Sequence, residues 1–157
     1  MVRLSRVFMI TLSLFMLLGD TVIAQKRYPG RVIGEVTEWV GDFMPRIIDP
    51  NSAGHKPNRG KRLPLRTKVW VIEGKVKAEG SPSIAFDKVE RVVKQVRTNH
   101  RGVYRVTLNP GLYTIMVEYN GRLYSNCMHG DGTFCSVDVE PLKTKRHDIR
   151  VTERATF

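Results

Sequence analysis

Apolar and polar residues alternate along the second half of the chain, which is the pattern of half-buried β-strands. Residues 104–108 and 113–119 each place an apolar side chain at every second position. The dipeptide Asn120-Gly121 then supplies a strong two-residue hairpin signal, because both residues tolerate a positive φ. These segments predict consecutive antiparallel strands joined by tight turns.

The first half of the chain has longer and less regular patterns. Residues 31–40 alternate around Gly34, which predicts a first strand with a glycine bend. Residues 68–76 are apolar on both faces, as expected of a central strand packed from two sides. A short helical turn near 84–89 and a valine-rich strand over 92–98 follow. With the closing strands, about seven strands separated by turns predict an all-β fold, an antiparallel β-sandwich.

The N-terminal segment has the layout of a secretory signal peptide. Arg3 and Arg6 form a basic start, residues 7–18 form an apolar stretch, and a Val-Ile-Ala sequence suited to cleavage follows. The apolar stretch is well short of the ~20 residues that cross a bilayer as a helix. We therefore predict a signal peptide over 1–24, export to the periplasm or the cell surface, and one domain over 25–157 with no transmembrane segment.

The chain is strongly basic, with 26 Lys and Arg residues against 15 Asp and Glu residues and a formal net charge of +11. Such a balance favours contact with anionic partners. Predicted export argues against nucleic acid, because an exported protein does not normally meet it. The partners that remain are an envelope protein or an acidic glycan.

A segment rich in proline and glycine, 41–66, interrupts the strand pattern. Its four prolines predict no regular element, and a structureless stretch of this length indicates either a functional loop or a solvated connection. Binding loops on a rigid sandwich are common, so this basic segment is a possible interaction loop for an acidic glycan or a partner. Its candidate residues are Arg46, Lys56, Arg59, Lys61, Arg62 and Arg66.

One short segment, 126–135, concentrates groups that could bind a metal: Cys127, His129, Asp131 and Cys135. Their spacing matches none of the familiar zinc patterns. In an oxidising compartment the two cysteines can instead bond to each other and close a short loop. We predict the Cys127–Cys135 disulfide and no cofactor, with a small metal-binding protein as the alternative.

The string 96–115, VRTNHRGVYRVTLNPGLYTI, resembles the carboxypeptidase regulatory-like domains. The resemblance rests on a strand ending in Val-x-Thr, a turn with Asn and Gly, an aromatic strand start and the Pro-Gly-x-Tyr motif. It implies a transthyretin-like, immunoglobulin-like β-sandwich over most of residues 25–157. These motifs specify the fold well and an activity poorly.

Three further motifs resemble small stand-alone secreted bacterial members of that family: Tyr124-Ser125-Asn126, Gly130-Asp131-Gly132 and Ala155-Thr156-Phe157. The chain departs from them at Cys127 and Cys135, where apolar residues are expected. The family resemblance implies an accessory or docking role in the envelope.

No catalytic motif supports an enzyme: the chain has no His-Glu-x-x-His, no Gly-x-Ser-x-Gly and no phosphate-binding loop. We therefore expect a non-enzymatic exported accessory or protein-interaction domain of the bacterial envelope. A carbohydrate-binding module at the cell surface is the main alternative. It requires an exposed flat platform of Trp39, Tyr119 or Tyr124.

Overall fold

The computed structural model describes residues 28–44 and 60–157. The predicted signal peptide lies outside the described residues. Within them the chain is all-β, and no helix there has the length and apolarity to cross a membrane. In chain order the elements are β1 (Gly30–Asp42), β2 (Lys61–Pro64), β3 (Lys68–Glu73), β4 (Ser83–Ile84), a 3-10 turn (Phe86–Lys88), β5 (Val92–Arg97), β6 (Val103–Leu108), β7 (Gly111–Tyr119), β8 (Arg122–Tyr124), β9 (Ser136–Val139), β10 (Thr144–Arg146) and β11 (Ile149–Thr156).

The first of two sheets, sheet I, is built around β1. This strand has 13 residues, long enough to pair with two strands along each edge. β6 and β2 run antiparallel to it along one edge, whereas β10 and β11 run parallel to it along the other. The parallel pairs differ from a purely antiparallel sandwich. Parallel pairing is possible here because a long stretch of chain, rather than a tight hairpin, connects β1 to β10 and β11.

The second sheet, sheet II, has the strand order β4-β8-β7-β3-β5, and β9 pairs with the first half of β7. β3 lies between β7 and β5, which confirms its prediction as a central strand. The hairpin signal is also confirmed, because Asn120 and Gly121 both adopt a positive φ between β7 and β8. The predicted short helical turn is present at Phe86–Lys88.

The main core lies between the two sheets and follows the alternation read from the sequence. Every second residue of β6 is buried, and β1 buries Val32 and Val36. Full burial of each such side chain contributes roughly 1.5–3 kcal/mol. The members of this core are Val32, Val36, Val69, Val71, Tyr104, Val106, Leu108, Tyr113, Ile115, Val117, Tyr124, Val139, Ile149 and Val151.

A second core lies on the other face of sheet II. The segment 74–91 and the loop 126–135 cover that face and bury Phe134 completely. The N–H of Phe134 donates to the carbonyl of Val76, and the N–H of Ala78 donates to the carbonyl of Gly132. The central strands of sheet II, β3 and β7, are therefore buried on both faces. The other members of this core are Ile72, Val76, Ala78, Ile84, Met116 and Leu123.

The structure corrects the prediction that no regular element lies between 41 and 66. β1 continues to Asp42, and Lys61–Pro64 forms β2, which pairs with Thr37–Val40 of β1. The prolines misled the prediction because β2 is an edge strand, where a residue without an N–H is tolerated. Pro64 occupies the last position of that strand.

Candidate functional site

The outer face of sheet I, which points away from the main core, carries the candidate site. Because Val32 and Val36 point inward, the alternate residues Ile33, Glu35, Thr37 and Trp39 of β1 point outward, and they are half-buried. The register sets Arg62 opposite Trp39 on one edge and Arg150 opposite Thr37 on the other. In the part of the chain that the structure describes, no segment covers this face as 74–91 covers sheet II.

Two arginines flank the indole of Trp39. The Cζ atom of Arg62 lies 4.3 Å from the indole centroid, and the Cζ atom of Arg150 lies 5.4 Å from it. These distances are within the range of cation–π contacts. The indole Nε1–H donates to the Thr37 hydroxyl at 3.2 Å, which fixes the ring orientation. The Trp39 ring therefore positions two guanidinium groups on one surface.

Two phenylalanines extend this group into an aromatic cluster. The ring centroids of Trp39 and Phe43 are 4.7 Å apart, and Phe157 lies 6.0 Å from Trp39 and 5.8 Å from Phe43. Phe157 is 62% exposed and Met44 is 49% exposed. Gly60 makes room for Phe43, since a Cβ atom there would lie 2.3 Å from its ring. We call Trp39, Phe43, Arg62, Arg150 and Phe157 the Trp39 cluster.

The carboxylates near the Trp39 cluster are already paired with other groups. Asp148 accepts from the Nε–H of Arg146 at 2.8 Å and from the backbone N–H of Glu35 at 2.9 Å. Arg146 also lies 4.0 Å from the Glu35 carboxylate. Among the described residues no carboxylate lies within ion-pair distance of Arg62 or Arg150. Their guanidinium N–H groups remain available to an incoming acid.

Two grooves flank Arg62. One, of about 370 Å³, is lined by Thr37, Trp39 and Arg150 together with Glu35, Pro64 and Asp148. The other, of about 490 Å³, is lined by Asp42, Phe43, Met44 and Gly60. Both volumes lie within the range of ligand sites. One groove is therefore polar, with two guanidinium and two carboxylate groups, and its neighbour has an aromatic and a thioether wall beside the Asp42 carboxylate.

A hydrogen-bonded group supports the far end of β1 from inside the sandwich. The Tyr119 hydroxyl donates to the Glu38 carboxylate at 2.7 Å, and Arg154 lies 3.4 Å from the same oxygen. Burial and the hydrogen bond to Glu38 raise the pKa of Tyr119 to about 12. Tyr124 is buried in the main core. Neither tyrosine thus contributes to a flat exposed platform with Trp39.

The predicted interaction residues separate into three groups. Arg62 joins the Trp39 cluster, and Lys61 and Arg66 are exposed on and just after β2. Arg46, Lys56 and Arg59 lie outside the described residues. Sequence reasoning missed Phe43, Phe157 and Arg150, because only the pairing of β1 with β2 and β11 brings them to Trp39.

The predicted disulfide is confirmed. Cys127 and Cys135 are bonded, with their Cα atoms 5.3 Å apart, and the Cys135 N–H donates to the Cys127 carbonyl. The Asp131 carboxylate accepts from Thr133 and pairs with Lys75 at 2.9 Å, and these hydrogen bonds lower the pKa of Asp131. The disulfide consumes both thiols on which the alternative metal site depended. The loop instead closes the cover over sheet II.

Removing this disulfide is expected to destabilise the cover. Cys127→Ser with Cys135→Ser should lower the free energy of unfolding by about 2–3 kcal/mol, since the unfolded chain regains the freedom of the closed loop. Urea denaturation of the oxidised protein and of the variant measures this difference. Reduction of the wild-type protein should reproduce the loss and leave the variant unchanged. Equal midpoints for the oxidised protein and the variant would contradict the prediction.

His147 connects β10 to β11 and is packed against β1 and β6. Its backbone N–H donates to the Ile33 carbonyl, and its own carbonyl accepts from the Tyr104 hydroxyl at 2.7 Å. Its Nε2 atom is buried without a hydrogen-bond partner among the described residues. Burial lowers the pKa of His147 below its ordinary value, and nearby Asp148 opposes that shift.

We predict that stability declines as the pH falls below about 6.5, the ordinary pKa of histidine. The folded protein disfavours protonated His147, so the unfolded chain takes up the proton at higher pH. This stabilisation is complete above the pKa of His147 in the unfolded chain. It is lost as the pH falls through the lower pKa of His147 in the folded protein. Urea denaturation at a series of pH values measures the slope. His147→Gln should flatten it and His129→Gln, at an exposed site, should not; equal slopes in both variants would contradict this assignment.

Comparisons with known proteins give little further information. No family model and no curated protein matches the chain. Among solved structures, the chain is similar to GBS52, the minor pilin of the Gram-positive pathogen Streptococcus agalactiae, at 18% sequence identity and a TM-score of 0.39. The similarity covers 78% of this chain and 44% of the pilin chain, so the chain spans less than half the length of that protein.

Proposed function

We propose that the chain is an exported, non-enzymatic accessory domain of the bacterial envelope that binds a protein partner through the outer face of sheet I. One observation carries this proposal. The central strands of sheet II are covered on both faces, whereas sheet I presents the half-buried Trp39 and exposed arginines on a face that no described segment covers. Partly exposed aromatic residues beside arginine are typical of the energetic centres of protein interfaces.

Export is supported by two independent features. The basic and apolar pattern of residues 1–24 is that of a signal peptide. The Cys127–Cys135 bond is of a kind that persists in oxidising compartments. We propose the periplasm or the cell surface as the site of action. We also propose membership of the carboxypeptidase regulatory-like family, on the motifs within 96–115.

A carbohydrate-binding role has less support than a protein partner. A stacked sugar ring needs a free aromatic face, and Arg62 and Arg150 lie close to the Trp39 indole. Tyr119 and Tyr124 form no platform beside it. An acidic glycan is therefore an alternative ligand of this face that only the positive charge of the arginines supports.

Photo-crosslinking tests whether the outer face of sheet I meets a protein. A photoreactive amino acid at Thr37 on this face should give a discrete protease-sensitive adduct in intact cells. The same residue at Gln95, an exposed position of β5 in sheet II, should not. An adduct from Gln95 alone, or equal adducts from both positions, would overturn the proposed surface.

A further inference from the structure

We infer that the Trp39 cluster binds an acidic segment of its protein partner, with carboxylates on Arg62 and Arg150 and an apolar side chain in the groove beside Phe43. This inference rests on the proposed function and specifies the chemistry of the partner. It follows from charge, from the positioning of the two arginines and from the shape of the neighbouring groove.

Charge on the outer face of sheet I selects an anionic partner. Pairing with Ile33 brings Arg105 of β6 and Arg146 of β10 to the same face, and Arg31 precedes Ile33 on β1. Of the carboxylates there, Glu35 and Asp148 are both within ion-pair distance of Arg146. Asp42 lines the groove beside Arg62 and accepts from the Met44 N–H. This face therefore carries more arginines than carboxylates, and Arg62 and Arg150, like Arg31 and Arg105, have no described carboxylate within ion-pair distance.

The two arginines are positioned before any partner arrives. Arg62 is anchored in β2 opposite Trp39, and Arg150 in β11 opposite Thr37. The Cζ atoms of both arginines lie close to the centroid of the same indole. The distance between these two Cζ atoms is therefore at most the sum of their two distances to that centroid. Planar guanidinium groups bind carboxylates through paired hydrogen bonds, and positioned side chains lose less entropy on binding. Neighbouring acidic side chains of one short segment can reach both.

The second groove favours a peptide over a sugar chain. Phe43 and Met44 line it beside Arg62, and Phe157 packs against Phe43. Asp42 also lines it, and its carboxylate accepts from the Met44 N–H. An apolar side chain next to the carboxylates can fill this space, which a hydrated uronic acid cannot use. Sugar stacking requires a free face of the Trp39 indole, and Arg62 and Arg150 lie close to that ring. Both features identify an acidic peptide as the better fit.

Calorimetric titration at low salt tests the inference on the full chain with its disulfide intact. The probes are a short glutamate-rich peptide that contains one phenylalanine, its glutamine counterpart, and polygalacturonate as an acidic glycan. We expect the glutamate peptide to bind, the glutamine peptide to bind at least about 10-fold more weakly, and added salt to weaken binding.

Charge-reversal variants identify the binding groups. Arg62→Glu with Arg150→Glu should weaken peptide binding at least about 10-fold, and the neutral pair Arg62→Gln with Arg150→Gln should weaken it less. The matched control is Arg91→Glu with Arg97→Glu, at exposed positions just before β5 and at its end, which should bind within about 2-fold of the wild type. Urea denaturation establishes that each variant is folded.

Three results would overturn the inference: equal binding of the glutamate and glutamine peptides, unchanged binding by the Arg62→Glu and Arg150→Glu variant, or tighter binding of polygalacturonate through the same arginines. Failure of the proposed function is recognised separately. If the Thr37 adduct persists in the charge-reversal variant, the protein interface stands and its acidic chemistry is wrong. If Thr37 gives no adduct, the interface itself is wrong.

Discussion

Replacing Phe134 with alanine is expected to lower the free energy of unfolding by about 3–5 kcal/mol. Phe134 is completely buried and is the largest side chain of the second core. Its loss leaves a cavity beneath the loop that Cys127 and Cys135 close. Because the N–H of Phe134 also donates to the Val76 carbonyl, the loop cannot collapse easily into the space. Urea denaturation followed by tyrosine and tryptophan fluorescence measures the change.

The matched control for this prediction is Phe157→Ala. Phe157 is 62% exposed, so the same truncation should change the free energy of unfolding by less than about 1 kcal/mol. A loss of similar size in both variants would contradict the assignment of Phe134 to a core. Phe157→Ala should nevertheless weaken binding of the glutamate peptide, because Phe157 packs against Phe43 in the Trp39 cluster.

Replacing Gly34 with alanine is expected to destabilise the protein by about 3 kcal/mol or more. An added Cβ atom would lie 1.8 Å from the carbonyl oxygen of His147 and 2.8 Å from the ring of Tyr104. The first of these atoms is backbone and cannot rotate away. The change therefore forces the connection between β10 and β11 away from β1. Thermal and urea denaturation of the purified variant measure the loss.

Gly130→Ala is the matched control for Gly34→Ala. A Cβ atom at Gly130, in the disulfide loop, has no heavy atom within 4 Å. The stability of this variant should lie within about 0.5 kcal/mol of the wild type. A tolerated Gly34→Ala would contradict the close approach of β1 to the His147 backbone. Gly34 thus allows β1 to pack closely against the His147 backbone. The alternating sequence pattern around this glycine predicts only a bend in the strand.

Local patterns in the sequence predicted much of the fold. The alternation over 104–108 and 113–119 identifies β6 and β7, and Asn120-Gly121 identifies the turn after β7 because that turn requires two positive φ values. The apolar run at 68–76 identifies a strand buried on both faces. Each of these signals depends on residues close together in the chain.

Pairings between distant parts of the chain could not be predicted in this way. The parallel register of β1 with β11 joins residues such as Val36 and Ile149, and nothing in either segment specifies the other. β2 was missed because Pro64 and its neighbours carry loop signals, and pairing with β1 overrides them. Strand pairing of this kind depends on the packing of the whole sandwich.

The candidate site was predicted only in part for the same reason. Arg62 belongs to the basic segment singled out from the sequence, and Trp39 was recognised as a possible aromatic contact. Their contact with each other and with Arg150 depends on the register of three strands. A tryptophan on the outward-facing positions of β1 was the available signal. That signal indicated a surface around Trp39 but not which residues contact the indole there.

The two tryptophans of the chain report on the two sheets, and their indole N–H signals in a nitrogen–proton correlation spectrum test the central claim most directly. Trp39 lies on the outer face of sheet I. Trp70 lies on β3 of sheet II, where its ring packs against Phe86 and its Nε1–H donates to Glu118 at 3.1 Å. Titration with the glutamate peptide should shift the Trp39 signal and leave the Trp70 signal in place. A shift of Trp70 alone, or of neither signal, would contradict the assignment of the outer face of sheet I as the interaction surface.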